Sequence, residues 1–175
     1  YGAVIAQRLN VEWITNDPNH ESIPISGTLI RSDPMRNFDM IVLEARSYFT
    51  KKVAIVGAVS SGKSVLTRRL ARDFNTIGVH EYRRTVQEIR GTLSPEDFVD
   101  VARGQDHLLK LSTCLANRVI FSDTEAYTAY LYSGAYSGQR VDECLQIALQ
   151  QKFDLYVVLM PTVKWIDLGQ KMYPE

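Results

Sequence analysis

Residues 57–64, GAVSSGKS, have the residue types and spacing of a polyphosphate-binding loop. Gly57 is followed after four residues by Gly62, Lys63 and Ser64, which is the phosphate-binding loop pattern G-x-x-x-x-G-K-[ST]. The glycines let successive N–H groups converge on a phosphate, and the following helix adds the positive end of its dipole. Lys63 is expected between the β- and γ-phosphates of ATP, and the Ser64 hydroxyl is expected to ligate Mg²⁺. The predicted nucleotide-binding residues of this loop are Gly57, Ser60, Ser61, Gly62, Lys63, Ser64 and Val65.

Asp123 ends a second apolar run, VIFSD, which predicts a strand. Ligands of open parallel sheets lie at the carboxyl ends of strands, so Asp123 is predicted to hold Mg²⁺ together with Ser64. Capping of the next helix is the alternative role for a strand-terminal aspartate, but we assign that cap to Thr124. Glu125 is either a second acidic group in the site or a first-turn residue favoured by the helix dipole, and we favour the second.

Glu81 also follows a predicted strand, in the stretch VHEYRR. A phosphoryl acceptor needs a carboxylate that orients its hydroxyl and accepts its proton, and Glu81 and Asp123 are the two candidates. Arg83 and Arg84 could steady the phosphates during transfer, and Arg84 could alternatively be a surface arginine on a helix face without a function. The sequence contains neither the N-K-x-D signature of GTPases nor the LSGGQ signature of transporter ATPases, so a small kinase is the predicted class.

The elements that must position these residues alternate between apolar strands and helix-period segments from residue 51 onward. Such alternation predicts an α/β fold, a P-loop NTPase-type parallel sheet with helices on both faces. Ser94 and Asp97 have the pattern of a capping box. Residues 1–50 are expected to be irregular, apart from a helix start after Ser26. The predicted strands are 51–56, 76–79, 118–122 and 154–160, and the predicted helices are 64–75, 82–90, the helix opened at Ser94, 124–134 and 140–151.

The composition argues against several classes of function. Lys+Arg and Asp+Glu number 20 each, so no net field attracts nucleic acid, and no apolar run is long enough to span a membrane. We expect neither nucleic acid nor membrane as a partner, and homo-oligomer formation is left open. No signal-peptide pattern is present, so we expect a cytoplasmic protein in which Cys114 and Cys144 are buried, reduced thiols.

The stretch ISGTLIR, residues 25–31, has a second set of residues that could hold phosphate oxygens. The hydroxyls of Ser26 and Thr28, the free N–H groups of a helix start and the Arg31 guanidinium would supply the contacts. A simple helix cap explains the same residues.

The tandem of ISGTLIR and KKVAIVGAVSSGKS resembles the NadR-type bifunctional proteins of bacterial NAD metabolism. The stretches FSDT around Asp123, EYRR after His80 and FDL at residues 153–155 are similar to the same family. The resemblance covers nearly the whole chain, and the two motifs at this distance are far more specific than either alone.

The resemblance implies the tail of a nucleotidyltransferase domain with a Rossmann-like fold over residues 1–50 and most of a ribosylnicotinamide kinase domain over residues 51–175. The kinase would transfer the γ-phosphoryl group of ATP to the 5′-hydroxyl of nicotinamide riboside, with Lys63, Glu81 and Asp123 as catalytic residues. The other domain would join AMP from ATP to nicotinamide mononucleotide, forming NAD. The family's H-x-G-H signature is absent from the sequence, so we expect that this chain alone does not form NAD.

Two positions depart from the family pattern. His80 stands where the family often has a tryptophan that resembles a stacking platform for the nicotinamide ring. The lid pattern W-x-x-D-G-x-R is replaced by WIDLGQK at residues 165–171, with Leu168 at the aspartate position and Lys171 in place of the bidentate arginine. These departures leave two alternatives open: a P-loop kinase for another nucleoside or small metabolite, and a nucleotide-binding regulatory module without turnover.

Overall fold

The structure, a computed structural model, describes residues 1–161. The chain divides into two compact units, one from Tyr1 to Ile41 and one that begins at Val42. The assignment of residues 1–50 to a nucleotidyltransferase tail and of residues 51–175 to a kinase domain stays a prediction. The predicted lid at residues 165–171 lies outside the described residues. In the described part of the chain, no helix has the length and apolar content needed to cross a membrane.

The first unit contains two helices, α1 (Gly2–Leu9) and α2 (Gly27–Ser32), and a 3₁₀ turn at Phe38–Met40. The expected helix start after Ser26 is confirmed, because the Ser26 hydroxyl accepts a hydrogen bond from the N–H of Leu29 at 3.2 Å. The expectation that residues 1–50 are otherwise irregular is wrong for α1, and it is also wrong for α3 (Leu43–Phe49), which opens the second unit.

The second unit alternates strands and helices as the sequence predicts. Helix α5 (Tyr82–Arg90) has the predicted bounds, since Gly91 at φ 78° ends it. The second strand is only two residues long, shorter than predicted. The further elements of this unit are β1 (Lys51–Gly57), α4 (Lys63–Asp73), β2 (Gly78–Val79), α5 (Tyr82–Arg90), α6 (Asp97–Thr113), β3 (Val119–Asp123), α7 (Ala126–Ser137), α8 (Asp142–Gln150) and β4 (Leu155–Leu159).

The four strands form one parallel sheet in the order β2-β3-β1-β4. Strand β3 therefore lies between β1 and β2, although β1 and β2 are consecutive along the chain. The register aligns Asp123 with Ile55, and Ser122 with Val79. All three strands consequently present their carboxyl ends at one edge of the sheet, where ligands of open parallel sheets bind.

Helices cover both faces of this sheet, as predicted, and adjacent strand residues show it. Phe121 of β3 packs with Val53, Ile55 and Ala71 in a cluster that includes α4. Its neighbour Ile120 is fully buried in a second cluster that includes α6. Because successive strand residues point to opposite faces, α4 and α6 lie on opposite sides of the sheet. The α/β fold class is confirmed.

Two local predictions have mixed outcomes. Ser94 and Asp97 make both hydrogen bonds of the predicted capping box: the N–H of Ser94 donates to the Asp97 carboxylate at 2.8 Å and the N–H of Asp97 donates to the Ser94 hydroxyl at 3.4 Å. The predicted helix start at Ser94 is wrong, however, because α6 begins only at Asp97. The prediction of two buried cysteines is wrong for Cys114, which is exposed on the last turn after α6. Cys144 is buried, and this burial raises the pKa of its thiol to about 11.

Candidate functional site

The loop between β1 and α4 needs glycine at both predicted positions. Gly57 has φ 145°, and a Cβ there would lie 2.4 Å from the carbonyl oxygen of Leu159 on the neighbouring strand. Gly62 has φ 92° and precedes the first residue of α4. Ser60 adopts φ 61°, which is uncommon for a residue with a side chain. The loop thus has the tightly curled backbone that a phosphate nest requires.

Lys63 is buried within this loop. Its ammonium donates to the carbonyl oxygens of Gly57 at 3.0 Å and Ala58 at 2.7 Å. Burial lowers the pKa of Lys63, and the charges of Glu81 and Asp123 oppose that shift. The ammonium therefore lies against the loop carbonyls in this structure, so its expected place between the β- and γ-phosphates stays a prediction. To reach a phosphate it must exchange these two carbonyls for phosphate oxygens.

The remaining predicted loop residues have different surroundings. The N–H of Ser61 donates to the carbonyl of Ala58 at 3.3 Å, which closes the loop on itself. The buried hydroxyl of Ser61 has no hydrogen-bond partner among residues 1–161. The Val65 side chain is exposed, so only its backbone N–H, in the first turn of α4, could serve a phosphate.

Glu81, at the end of β2, is buried and held by two arginines. The Arg83 Nε donates to Glu81 Oε1 at 2.9 Å, and the Arg84 Nε donates to Glu81 Oε2 at 2.8 Å. Burial alone would raise the pKa of Glu81, but the two guanidinium groups outweigh it and hold the pKa below its usual value. Glu81 is therefore a charged, well-compensated carboxylate.

The two arginines have different surroundings. The Arg83 side chain is only 6% exposed, donates to the Gln87 Oε1 at 2.8 Å and lies 5.5 Å from the Tyr132 ring centroid. The Arg84 side chain is 44% exposed, and its Nη2 donates to the Ser64 hydroxyl at 3.0 Å. The alternative interpretation of Arg84 as a surface arginine without a function does not account for these contacts. Arg84 instead links the loop serine to Glu81.

Asp123, at the end of β3, is buried without an equivalent counter-ion. Burial raises the pKa of Asp123, and a hydrogen bond with Ser64 and the Lys63 charge only partly offset this effect. Its Oδ1 is buried and lacks a hydrogen-bond partner in the described part of the chain. A buried carboxylate oxygen without a partner is costly for the protein, and a bound cation would remove that cost.

Ser64, Glu81, Arg84 and Asp123 line one cleft of about 350 Å³. The cleft lies between α4 and α5 over the carboxyl ends of β2 and β3. His80 is exposed on its wall, with Nε2 3.5 Å from the Thr85 hydroxyl. The structure therefore brings the predicted loop serine and both candidate carboxylates together.

The donor set in this cleft fits a magnesium ion bound together with a nucleotide. Within residues 1–161, no group of three or more His, Cys, Asp or Glu side chains could hold a metal ion by itself. A P-loop site does not need one, because phosphate oxygens and water complete the coordination. Ser64 and the unpartnered Oδ1 of Asp123 would be the protein's ligands, once Arg84 leaves the Ser64 hydroxyl.

The turn after β3 corrects one predicted role. Glu125, and not Thr124, is the N-cap of α7: its carboxylate accepts hydrogen bonds from the N–H and the hydroxyl of Thr128 at 3.0 and 2.9 Å. Thr124 instead adopts φ 69°. Because the Glu125 carboxylate is used in this cap, it is not free to act as a second acidic group in the site.

Gln105 was not among the predicted site residues, yet its buried amide contacts the first residue of α5, next to Glu81, and the end of β3. The sequence signal that could have identified Gln105 was its position as a polar residue on the apolar face of a predicted helix.

In the first unit, Ser26 is the N-cap of α2, and the Arg31 Nη1 lies 3.1 Å from the position that a Cβ on the next residue, Gly27, would take. Thr28 is exposed in the same turn.

Comparisons with known proteins agree with this fold. A family model described as an AAA domain matches residues 52–171. The trifunctional NAD biosynthesis/regulator protein NadR of Escherichia coli strain K12 is 31% identical over 168 residues, which cover 93% of this chain and 41% of that protein. The protein of the same name from Salmonella typhimurium strain LT2 matches with the same identity and coverage. The chain thus spans about two fifths of the length of these relatives, and the resemblance to NadR-type proteins is confirmed.

Two solved structures share the fold. A NadR protein in complex with NR has a TM-score of 0.76 and 24% identity, over 97% of this chain and 52% of that one. A NadR protein in complex with NAD and AMP-PNP has a TM-score of 0.71 and 24% identity, over 89% of this chain and 49% of that one.

Proposed function

The chain belongs to the AAA domain family, and from that premise we propose that its second unit transfers the γ-phosphoryl group of ATP to the 5′-hydroxyl of nicotinamide riboside. The observation that carries the proposal is the convergence of the loop serine, Glu81 and Asp123 on one cleft at the carboxyl edge of the sheet. The NadR relatives, which are named for NAD biosynthesis, and the NadR structure in complex with NR support nicotinamide riboside as the acceptor.

The phosphate loop binds and orients ATP. The curled backbone at Gly57 and Gly62 aims N–H groups at the phosphates, and the first turn of α4 adds its dipole. Lys63 exchanges the loop carbonyls for the β- and γ-phosphates. Its lowered pKa still leaves it a cation when phosphates surround it, because anions favour the charged form of an amine.

Ser64 and Asp123 would hold Mg²⁺, which neutralises charge that develops on the β- and γ-phosphates during transfer. Asp123 is suited to this role because burial leaves its charge under-compensated. The Arg84 guanidinium, released from Ser64, lies close enough to hold phosphate oxygens with its fork of donors.

Glu81 orients the acceptor hydroxyl and does not need to be a strong base. Two arginines keep its pKa low, so it accepts a hydrogen bond well but a proton poorly. Phosphoryl transfer proceeds through a loose transition state in which positioning and charge stabilisation matter most. An orienting carboxylate is therefore sufficient: the hydroxyl oxygen bonds to the γ-phosphorus as the bond to ADP breaks, and the hydroxyl proton passes late, through Glu81, to an oxygen of the transferred phosphoryl group.

The rest of the proposal concerns the whole protein. The first unit is the tail of a domain that adenylylates nicotinamide mononucleotide, with Ser26, Thr28 and Arg31 at phosphate oxygens. The protein acts in the cytoplasm on small molecules: ATP, nicotinamide riboside and its mononucleotide.

The test is product formation from Mg²⁺, ATP and nicotinamide riboside. We expect the wild-type chain to form the mononucleotide, and Lys63→Ala to lower the rate on the order of a hundredfold, because an electrostatic donor to the transferring group is lost. Lys110→Ala, which removes a lysine that is exposed on α6, is the matched control and should keep the wild-type rate.

Equal rates in the wild type and Lys63→Ala would contradict the proposal. The same assay with a panel of other nucleosides tests whether His80, in the cleft wall, changes which acceptor is phosphorylated. Product from another nucleoside and none from nicotinamide riboside would favour the alternative kinase, and tight ATP binding without any transfer would favour a regulatory module.

A further inference from the structure

Gln105 is a polar side chain in an apolar environment. It lies in the middle of α6, is only 2% exposed, and shares its helix with the buried residues Phe98, Val101 and Ala102. Burial of an amide costs free energy unless both of its polar ends are hydrogen-bonded. The position of Gln105 is therefore maintained by the groups that its amide contacts.

Within residues 1–161, the amide of Gln105 makes three hydrogen bonds, one to the start of α5 and two to the end of β3. Its Oε1 accepts from the N–H of Tyr82 at 2.8 Å. Its Nε2 donates to the Ser122 hydroxyl at 3.1 Å and to the Asp123 carbonyl at 3.4 Å. One side chain thus joins the start of α5, immediately after Glu81, to the end of β3.

The bond from Tyr82 satisfies one of the N–H groups at the start of α5. The first N–H groups of a helix lack partners inside the helix and need acceptors from outside it. Glu81 occupies the N-cap of α5, but its side chain caps no N–H of the helix. Its carboxylate instead accepts from Arg83 and Arg84 and lines the cleft, while Gln105 holds the backbone of the next residue.

The bonds to β3 fix the other carboxylate. The Ser122 hydroxyl accepts from Gln105 and donates to the carbonyl of Thr124 at 2.7 Å. Thr124 has a left-handed backbone at φ 69°, so this bond holds a strained turn directly after Asp123. We propose that Gln105 is a positioning residue that sets the separation of Glu81 and Asp123, and thereby the alignment of acceptor and metal-bound nucleotide. This role rests on the proposed function.

The test compares Gln105→Met with Thr113→Val. Methionine keeps the length of the side chain and removes its hydrogen bonds. Thr113 is equally buried on the same helix, about 12 Å along its axis, and its hydroxyl bonds only the Leu109 carbonyl of its own helix. Steady-state rates are measured where urea titration shows both variants to be folded.

We expect Gln105→Met to lower kcat by tenfold or more, because small displacements of reacting groups are costly, and to change KM for ATP by less than about threefold. Thr113→Val should keep the wild-type kcat. Gln105→Glu, which restores the acceptor for Tyr82, should recover part of the loss. A wild-type kcat in Gln105→Met, or equal losses in Gln105→Met and Thr113→Val, would overturn the positioning role.

A second readout keeps this proposal separate from the proposed function. Crystal structures of the wild type and Gln105→Met measure the separation of the Glu81 and Asp123 carboxylates without turnover. We expect this separation to change by at least about 0.5 Å in Gln105→Met, because the hydrogen bonds that join the start of α5 to the end of β3 are lost. An unchanged separation would overturn the positioning role. If the wild type forms no mononucleotide, the proposed function fails, and this structural comparison alone decides the role of Gln105.

Discussion

The ends of β2 and β3 carry the same kind of group in opposite electrostatic states. At the end of β2, Glu81 has a guanidinium on each carboxylate oxygen, and its pKa is lowered. At the end of β3, Asp123 is as deeply buried, but one oxygen has no partner within residues 1–161, and its pKa is raised. When the pKa values of two neighbouring carboxyl groups are shifted in opposite directions, the two groups are suited to different chemical roles.

The difference in charge compensation shows which of the two carboxylates needs a bound cation. Glu81 needs none, because two guanidinium groups already compensate its charge. Asp123 stabilises the protein fully only when a cation reaches its second oxygen. Magnesium binding at the end of β3 would therefore increase the free energy of unfolding. Glu81, after β2, is held in place by its arginines and can orient the acceptor hydroxyl.

The largest expected effect is a difference in stability between the two carboxylate variants. Glu81→Gln leaves the buried Arg83 with an uncompensated charge, so it should lower the free energy of unfolding by about 3 kcal/mol at neutral pH. Asp123→Asn removes an under-compensated buried charge and should raise the free energy of unfolding of the metal-free protein by about 1 kcal/mol. Urea titration measures both values.

The pH dependence of these two effects sharpens the same prediction. Because the folded pKa of Glu81 is lowered, its stabilisation is complete above the ordinary value of 4.5 and is lost as the pH falls through the folded pKa. Because the folded pKa of Asp123 is raised, its destabilisation appears as the pH rises above the ordinary value of 3.8. If Glu81→Gln and Asp123→Asn changed the free energy of unfolding in the same direction at neutral pH, the claim that Glu81 is compensated and Asp123 is not would be wrong.

A smaller effect should separate Arg83 from Arg84. Arg83→Lys breaks the buried contacts to Glu81 and Gln87, so it should cost about 1.5 kcal/mol of stability. Arg84→Lys should change stability by less than about 0.5 kcal/mol, since this side chain is half exposed, but it should lower kcat about tenfold because lysine lacks the fork. A larger stability loss in Arg84→Lys than in Arg83→Lys would contradict these assignments.

Local patterns predicted most of the elements and the loop. The glycine spacing between an apolar strand and a helix predicts a tightly curled loop, and Gly57 and Gly62 do adopt positive φ. The predicted bounds of helix α5 agree with the structure, in which Gly91 ends the helix. In contrast, α1 and α3 are only 8 and 7 residues long, so neither shows a helical period sustained enough to predict it.

The electrostatics of the site could not be predicted, because they depend on strand order. The sequence places Glu81 and Asp123 far apart, and only the insertion of β3 between β1 and β2 brings Asp123 between the loop and Glu81. The burial of Arg83 depends on Tyr132 of a later helix. The role of Gln105 depends on Tyr82 and Ser122, which become its neighbours only when α6 packs across the sheet.

The most direct measurement is the magnesium dependence of ATP binding, followed by calorimetry in the wild type, Asp123→Asn and Glu81→Gln. We predict that Mg²⁺ tightens ATP binding about tenfold or more in the wild type and in Glu81→Gln, and that Asp123→Asn loses this gain while it keeps magnesium-free ATP binding. An equal magnesium effect in Asp123→Asn and the wild type would contradict the assignment of the metal to the end of β3.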